Sequence, residues 1–425
     1  MNKNKLLCHI CDSPSIKIIY ELNKHYYEDS RKNFKKIIYI DLNKLLNKTT
    51  NKDSKKLKQF SKDLKIFTPK NYTELNYFLE NNDVVASVSL NKTYKYFRTW
   101  YLLKKNNVIL FYILNLGLIS NKEYFYKKNL FENIKKYFSN LINVKFAFYI
   151  YRFLVLINIF PRIDHVFEAA KIHRKYFKNY LGNKIQRFFN IENISLYQNI
   201  IPINSRSYDE LIDKINIQKE DYIVFLDSGF DHPDRALFDK QATRSEREKY
   251  YYMLRLILKK FSKIYKKKIV FCMHPKSDEK KIKRYLKDIN VVKFKTREFI
   301  IKASIIFFHE SSTILDAILI RKKIWGLSSN TMGSFFRKRN ELYPNFLKCP
   351  LSDMSDLVKM KKDKIDNIVN DYNFNLFDKK ILNYLVLSKK VLYKFKHYKT
   401  KINHNDKNFV KGRTTIINFI KNKYF

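Results

Sequence analysis

Short apolar runs that stop abruptly at polar clusters recur along this chain of 425 residues. The clearest pair lies between Lys268 and Ile320. Lys268-Ile269-Val270-Phe271-Cys272-Met273 ends at His274-Pro275-Lys276-Ser277, and Ser304-Ile305-Ile306-Phe307-Phe308 ends at His309-Glu310-Ser311-Ser312-Thr313. Continuous apolar runs of this length between polar breaks are what strands buried on both faces look like. The same reading predicts strands over Lys5–Cys11, Lys36–Leu42, Asp83–Ser89, Val108–Ile113, Pro161–Phe167, Tyr222–Leu226, Val291–Val292 and Lys323–Leu327. Helical spacing fills the intervals: Ile16–Tyr26, Tyr72–Glu80, Tyr94–Leu103, most of 121–160, Arg244–Tyr265, Asp278–Leu286 and Arg297–Lys302. Asp12 or Ser13 would cap the first of these, with Pro14 in its first turn. A further helix is expected to open at Ser311 or Ser312 and run through Ile320.

Strands alternating with helices predict parallel α/β sheets. The length suits two domains, each able to bury its own core. The pattern places a Rossmann-like domain over 1–185, a connector over 186–219 that includes a short helix before Asp213, a second Rossmann-like domain over 220–370, and a basic helical segment over 371–425. The longest apolar stretch, Phe138 to Phe160, contains Lys145 and Arg152. Charged residues at mid-bilayer cost roughly 2.5–3.5 kcal/mol each. The stretch is therefore read as a helix packed in its domain, grazing a membrane surface at most, and not as a span.

The formal net charge of +45 changes the picture more than any other bulk property. It favours anionic partners and raises nucleic-acid binding as an alternative. Lys is spread along the whole chain among Asn, Ile, Tyr and Phe instead of clustering, which speaks against that alternative. Four cysteines make no disulfide framework in a chain this long, so a reducing compartment is expected. Cys8-His9-Ile10-Cys11 is a lone C-x-x-C without a second pair and reads as a strand that carries two Cys. No charged-then-apolar leader precedes residue 20, and no secretory signal is expected.

Candidate chemistry collects at the strand ends. Ligands of open α/β sheets bind there, and a helix opening at Ser311 or Ser312 would offer N–H groups, hydroxyls and a positive dipole end to phosphate. His274 could hydrogen-bond or protonate a departing phosphate; Pro275, Lys276, Glu310, Ser311, Ser312 and Thr313 complete the expected nucleotide-binding set. The strand Tyr222–Leu226 ends in Asp227-Ser228-Gly229-Phe230-Asp231-His232-Pro233-Asp234, crowded with carboxylates in a chain poor in them. Asp227, then Asp231, are the expected bases, with Asp234, His232 and Gly229 as further candidates. No D-x-D, G-x-G-x-x-G or P-loop pattern occurs. A metal-bridged diphosphate mechanism therefore lacks its carboxylates, and neither a metal nor a cofactor is expected.

The His-Pro and Ser-Ser motifs at neighbouring strand ends resemble those of bacterial GT-B glycosyltransferases of surface-polysaccharide synthesis, sialyltransferases and polysialyltransferases among them. Kdo transferases carry a related His-Pro. His274-Pro275 takes the His-Pro place and Ser311-Ser312 the Ser-Ser place. The acidic D/E-D/E-G motif that supplies the base in those enzymes is matched only by Asp227-Ser228-Gly229, which lacks the second acid. The resemblance covers mainly 220–330 and implies a metal-independent enzyme, with a nucleotide-sugar donor on the second domain and a glycan or glycolipid acceptor entering from the first. It implies a CMP-activated acidic sugar as donor, with a UDP-sugar or a CDP-polyol phosphate as alternatives. It further implies a surface glycan (lipopolysaccharide, lipooligosaccharide or capsule) as product and a cytoplasmic protein peripheral to the inner membrane. A catalytically inactive scaffold and a nucleic-acid-binding protein remain the rival readings.

Overall fold

The computed structural model describes residues 4–12, 16–34, 36–46, 65–114, 146–169, 197–212, 221–230, 242–311, 313–372 and 410–425. They divide into two compact units, each built on a parallel sheet.

The first sheet consists of β1 (Asn4–Cys11), β2 (Ile37–Asp41), β3 (Lys65–Phe67), β4 (Asn82–Val88), β5 (Ile109–Leu114), β6 (Ile163–Ala169) and β7 (Tyr197–Ile203), in the order β3-β2-β1-β4-β5-β6-β7. Alternate side chains of a strand point to opposite faces. Leu6, Cys8 and Ile10 accordingly join one core with α2 (Tyr72–Glu80), α3 (Phe97–Lys105) and α4 (Ala147–Leu156), whereas Leu7 joins the opposite core. That second core is built against α1 (Ile16–Asn33) and the last helix of the chain. The last helix, α13 in chain order, spans Gly412–Tyr424 and buries Ile416, Ile417 and Ile420 on the first sheet. Arg413 Nε donates to Asp29 at 2.6 Å, and Tyr424 meets the His165 ring through its hydroxyl. Arg152 is 3 % exposed within α4, whose packing agrees with a helix docked in its domain; Lys145 lies outside the described residues. Among the described residues no helix is long and apolar enough to cross a membrane.

The second sheet consists of β8 (Tyr222–Leu226), β9 (Lys268–Cys272), β10 (Asn290–Val292), β11 (Ala303–Phe308), β12 (Lys323–Ser328) and β13 (Leu351–Asp353), in the order β10-β9-β8-β11-β12-β13. Counted within the unit this is 3-2-1-4-5-6, the order of doubly wound dinucleotide-binding sheets. Ile223 and Phe225 face the core under α6 (Arg244–Tyr265) and α7 (Glu279–Leu286). Val224 and Leu226 face the core formed with α5 (Arg206–Leu211), α8 (Thr296–Ile301) and α9 (Ile314–Leu319). Burial on both faces holds the strand ends in place. Helix α6 opens with a capping box, Thr243 with Glu246, and its Lys260 donates to the Leu357 and Val358 carbonyls of α11 (Met354–Lys359). α10 (Ser334–Leu347) lies against β12 at Gly326, where a Cβ would come within 2.4 Å of Pro344 Cγ. α12 (Lys362–Asn370) closes this part of the chain.

Three strands depart from the sequence reading, and all three are sheet edges: β3, β7 and β13. β7 falls within the stretch expected as a connector, and α13 returns to the first sheet from the expected basic tail. The helix expected from Ser311 or Ser312 instead begins at Ile314 and has 6 residues. A turn precedes it, in which Ile314 N–H donates to the Ser311 carbonyl at 3.2 Å.

Candidate functional site at the switch point of the second sheet

The strand order reverses between β8 and β11, and their carboxyl ends carry Asp227 and the His309–Thr313 cluster. β9, on the other side of β8, ends at Cys272, two residues before His274. A parallel sheet opens its ligand crevice at such a reversal. The sheet thereby brings Asp227, His274 and the described residues of the His309 cluster to the carboxyl ends of three neighbouring strands.

Asp227 organises the first half of this site. Its N–H continues the ladder to the Cys272 carbonyl at 3.0 Å. One carboxylate oxygen accepts the Gly229 N–H at 2.9 Å; the other accepts the His274 N–H at 3.0 Å and the Ser277 hydroxyl at 3.2 Å. Gly229 has φ 76°, which suits glycine at this turn. Burial pushes the Asp227 carboxyl up, and hydrogen bonds from His274, Gly229, Ser277 and Phe230 oppose that push. A buried carboxylate whose oxygens already accept four hydrogen bonds from its own loop and the next differs from the acceptor-facing base expected at this position. The environment is that of a group that holds β8 and β9 in register at their ends.

His274 sits half-buried at the head of the turn so held. Lys276 N–H donates to its Nδ1 at 3.3 Å, and Ser277 N–H donates to its carbonyl at 2.9 Å. With Nδ1 accepting, the neutral ring carries its proton on Nε2, which makes Nε2 a donor. Lys293 adds a 3.2 Å bond to the Ser277 carbonyl. Pro275 is half-buried and Lys276 exposed.

The second half is built on His309, which is 1 % exposed. Its Nδ1 donates to the Leu327 carbonyl at 2.8 Å, and its Nε2 accepts the Tyr250 hydroxyl at 2.7 Å. Tyr250 stacks on Phe230 with centroids 4.1 Å apart, so aromatic packing ties the Asp227 loop to the end of β11. Asn340 accepts the Glu310 N–H at 3.0 Å. Ser311 and Thr313, both half-exposed, share a hydroxyl–hydroxyl bond of 2.8 Å. Ser312, Asp231, His232 and Asp234 lie outside the described residues. Tyr250 and Asn340 escaped the sequence reading because a Tyr in an amphipathic helix and an Asn far along the chain carry no motif; Ser277 stands in the His274–Ser277 cluster, but nothing in the sequence shows its bond to Asp227.

Within α9, the Asp316 carboxylate is 1 % exposed and accepts from Arg297 Nε at 2.7 Å. The expected Cys8-x-x-Cys11 pair is buried in β1, where burial pushes the Cys8 thiol up.

No family model matches the chain, and no curated protein matches it in sequence. Solved structures similar to it include the wall teichoic acid polymerase TagF (11% identity, 93% of this chain and 87% of that chain, TM-score 0.44). MurG of Acinetobacter baumannii is similar at 7% identity over 99% of each chain, TM-score 0.42. The UDP-GlcNAc 2-epimerase of Neisseria meningitidis is similar at 10% identity over 93% of this chain and 99% of that one, TM-score 0.43. Likeness this distant carries no argument about reaction or substrate. The two parallel-sheet α/β units, an architecture typical of the GT-B fold, stand on the strand order itself.

Proposed function

We propose that this protein is a metal-independent glycosyltransferase that moves a sugar from a nucleotide donor to a surface glycan at a membrane. The observation that carries the reading is the His274-Pro275 turn, locked by Asp227 beside the switch point of a sheet in the dinucleotide-binding order. The donor belongs to the second domain and the acceptor to the first. In the reaction an acceptor hydroxyl oxygen attacks the anomeric carbon, the bond from that carbon to the phosphate oxygen breaks, and the electron pair leaves with the phosphate. The Nε2–H of His274 donates to that departing phosphate, and the hydroxyls of Ser311, Ser312 and Thr313 hold its other oxygens. Lys276 adds positive charge at the rim, and Glu310 accepts from ribose hydroxyls.

Asp227 acts in this scheme by positioning His274. The acceptor proton then goes to Asp231, with His232 as its neighbour. The donor of first choice is a CMP-activated acidic sugar, since a single phosphate leaves and one imidazole donor suits it; a UDP-sugar uses the same groups, and with a CDP-polyol phosphate the acceptor oxygen attacks the β-phosphorus instead, the P–O bond to the α-phosphate breaks and CMP leaves. Donor-dependent transfer to a glycolipid acceptor tests the scheme. His274→Ala should lower turnover by about 10²–10⁴-fold while folding is kept. Turnover near that of the wild type would remove His274 from the mechanism. Binding of oligonucleotides that weakens steeply with salt, without any nucleotide-sugar turnover, would favour the nucleic-acid reading instead.

A further inference from the structure

Helix α4 is apolar on its outward as well as its buried face and turns its one charge inward. Its single charged residue, Arg152, is 3 % exposed, whereas Phe153 is 57 % and Leu156 50 % exposed. Phe146, one residue before the helix, is 55 % exposed, and Ile157 and Ile159 just after it are 46 % and 40 % exposed. Positions 146, 153 and 157 fall on one helical face, with 156 at its margin. A surface helix ordinarily turns its apolar stripe to the core and its charges to water. A contiguous exposed apolar face marks a surface that meets something else.

Charge decides what that is. The chain carries +45, so two copies approaching each other repel, while an anionic surface attracts either one. Basic side chains also stand where α4 leads into β6. Arg162 is exposed there, and Lys104 and Lys423 act electrostatically on the neighbouring Asp164. Aromatic and aliphatic side chains flanked by Lys and Arg suit the boundary between headgroups and acyl chains of an anionic bilayer. We infer that the outward face of α4, centred on Phe153, Leu156 and Ile157, docks the protein onto an anionic lipid surface. The inference rests on the membrane-surface part of the proposed function and assigns it to one element of the first unit.

The test is flotation of the full-length protein with vesicles of equimolar phosphatidylglycerol and phosphatidylcholine, and with vesicles of phosphatidylcholine alone. Phe153→Ser/Leu156→Ser/Ile157→Ser is compared with the wild type, and Phe153→Ser alone serves if the triple variant melts early. The wild type should float with the anionic vesicles and weakly with the neutral ones. The triple variant should partition at least about tenfold less, because the apolar contribution of those side chains is lost. Whatever binding remains should vanish at high salt. Flotation of the triple variant equal to the wild type would overturn the assignment to α4 and leave charge alone as the membrane contact. A wild type that fails to float with anionic vesicles would overturn it as well. So would a wild-type dimer in solution that the triple variant abolishes, since the face would then cover a second copy. The CMP-induced rise in melting temperature, measured on the same samples, reports separately on the donor site, so failure of docking and failure of the donor reading are told apart.

Discussion

Replacing Asp227 with Asn keeps the shape of the side chain and changes one oxygen into a donor. In the wild type one oxygen accepts the Gly229 N–H and the other accepts the His274 N–H and the Ser277 hydroxyl. The amide nitrogen must take one of these places and face a donor. With the Phe230 N–H also bonded to the carboxylate, either orientation gives up at least one of the four bonds. A hydrogen bond to a charged group contributes about 1.5–3 kcal/mol, and the variant regains part of that because it no longer buries a charge. The expected net loss is about 1–3 kcal/mol. Asp227→Ala abandons every bond, strands the buried donors and should cost about 3–5 kcal/mol. Trp325 in β12 and Trp100 in α3 are the two tryptophans, both buried. In a Trp100→Phe background, denaturant unfolding followed by Trp325 fluorescence therefore reads the second unit alone. The same samples are titrated with CMP, whose binding should weaken together with stability because His274 loses its anchor. Were Asp227 the general base, Asn would leave the unfolding midpoint and CMP binding unchanged and abolish turnover alone. That result would refute the positioning role.

Ile420→Ala should destabilise the first unit by about 2–5 kcal/mol, since the side chain is 1 % exposed in the core beneath α13; unfolding followed by Trp100 fluorescence checks this. Arg297→Ala leaves the Asp316 carboxylate buried without its guanidinium and should cost about 3–5 kcal/mol, whereas Arg297→Ala/Asp316→Ala should recover part of that loss in a double-mutant cycle. Burial pushes the His9 imidazole down to about 4, so the folded state refuses a proton that the unfolded chain accepts from about pH 6.5 downward. The His9 contribution is thus full above that value and falls as pH drops toward 4, by at most about 3 kcal/mol; His9→Gln should remove that part of the profile measured by thermal unfolding and leave the part due to His165, which burial also pushes down to about 4.

Most strands legible in the sequence are buried on both faces; β10, an edge strand of 3 residues marked by Val291-Val292, is the exception. Tyr222–Leu226 and Ser304–Phe308 announce themselves as unbroken apolar runs because cores lie above and below them. The strands that escaped lie at sheet edges, where one side of the ladder is open and the apolar run is not required. β7 carries Pro202, which an edge tolerates, and its residues 198–200 are exposed. β3 and β13 have 3 residues each, too few to show a period. The two site clusters were legible because polar residues interrupt the apolar runs at strand ends. Their roles were less so. An Asp in a loop looks the same in sequence whether it faces a ligand or, like Asp227, the backbone of the adjoining turn. α9 starts two or three residues later than Ser311 or Ser312 because Ser311 and Thr313 are good caps whose hydroxyls bond each other here.

The central claim is a nucleotide site at the β8/β11 reversal with His274 in it. A thermal-shift panel of CMP, CDP, UDP, GDP, ADP and short oligonucleotides, run at two salt concentrations, tests it directly, because a ligand that binds only the folded state raises the melting temperature by mass action. The account predicts stabilisation by CMP, retained at the higher salt and lost in His274→Ala. Stabilisation by oligonucleotides alone, vanishing at high salt and indifferent to His274→Ala, would contradict it.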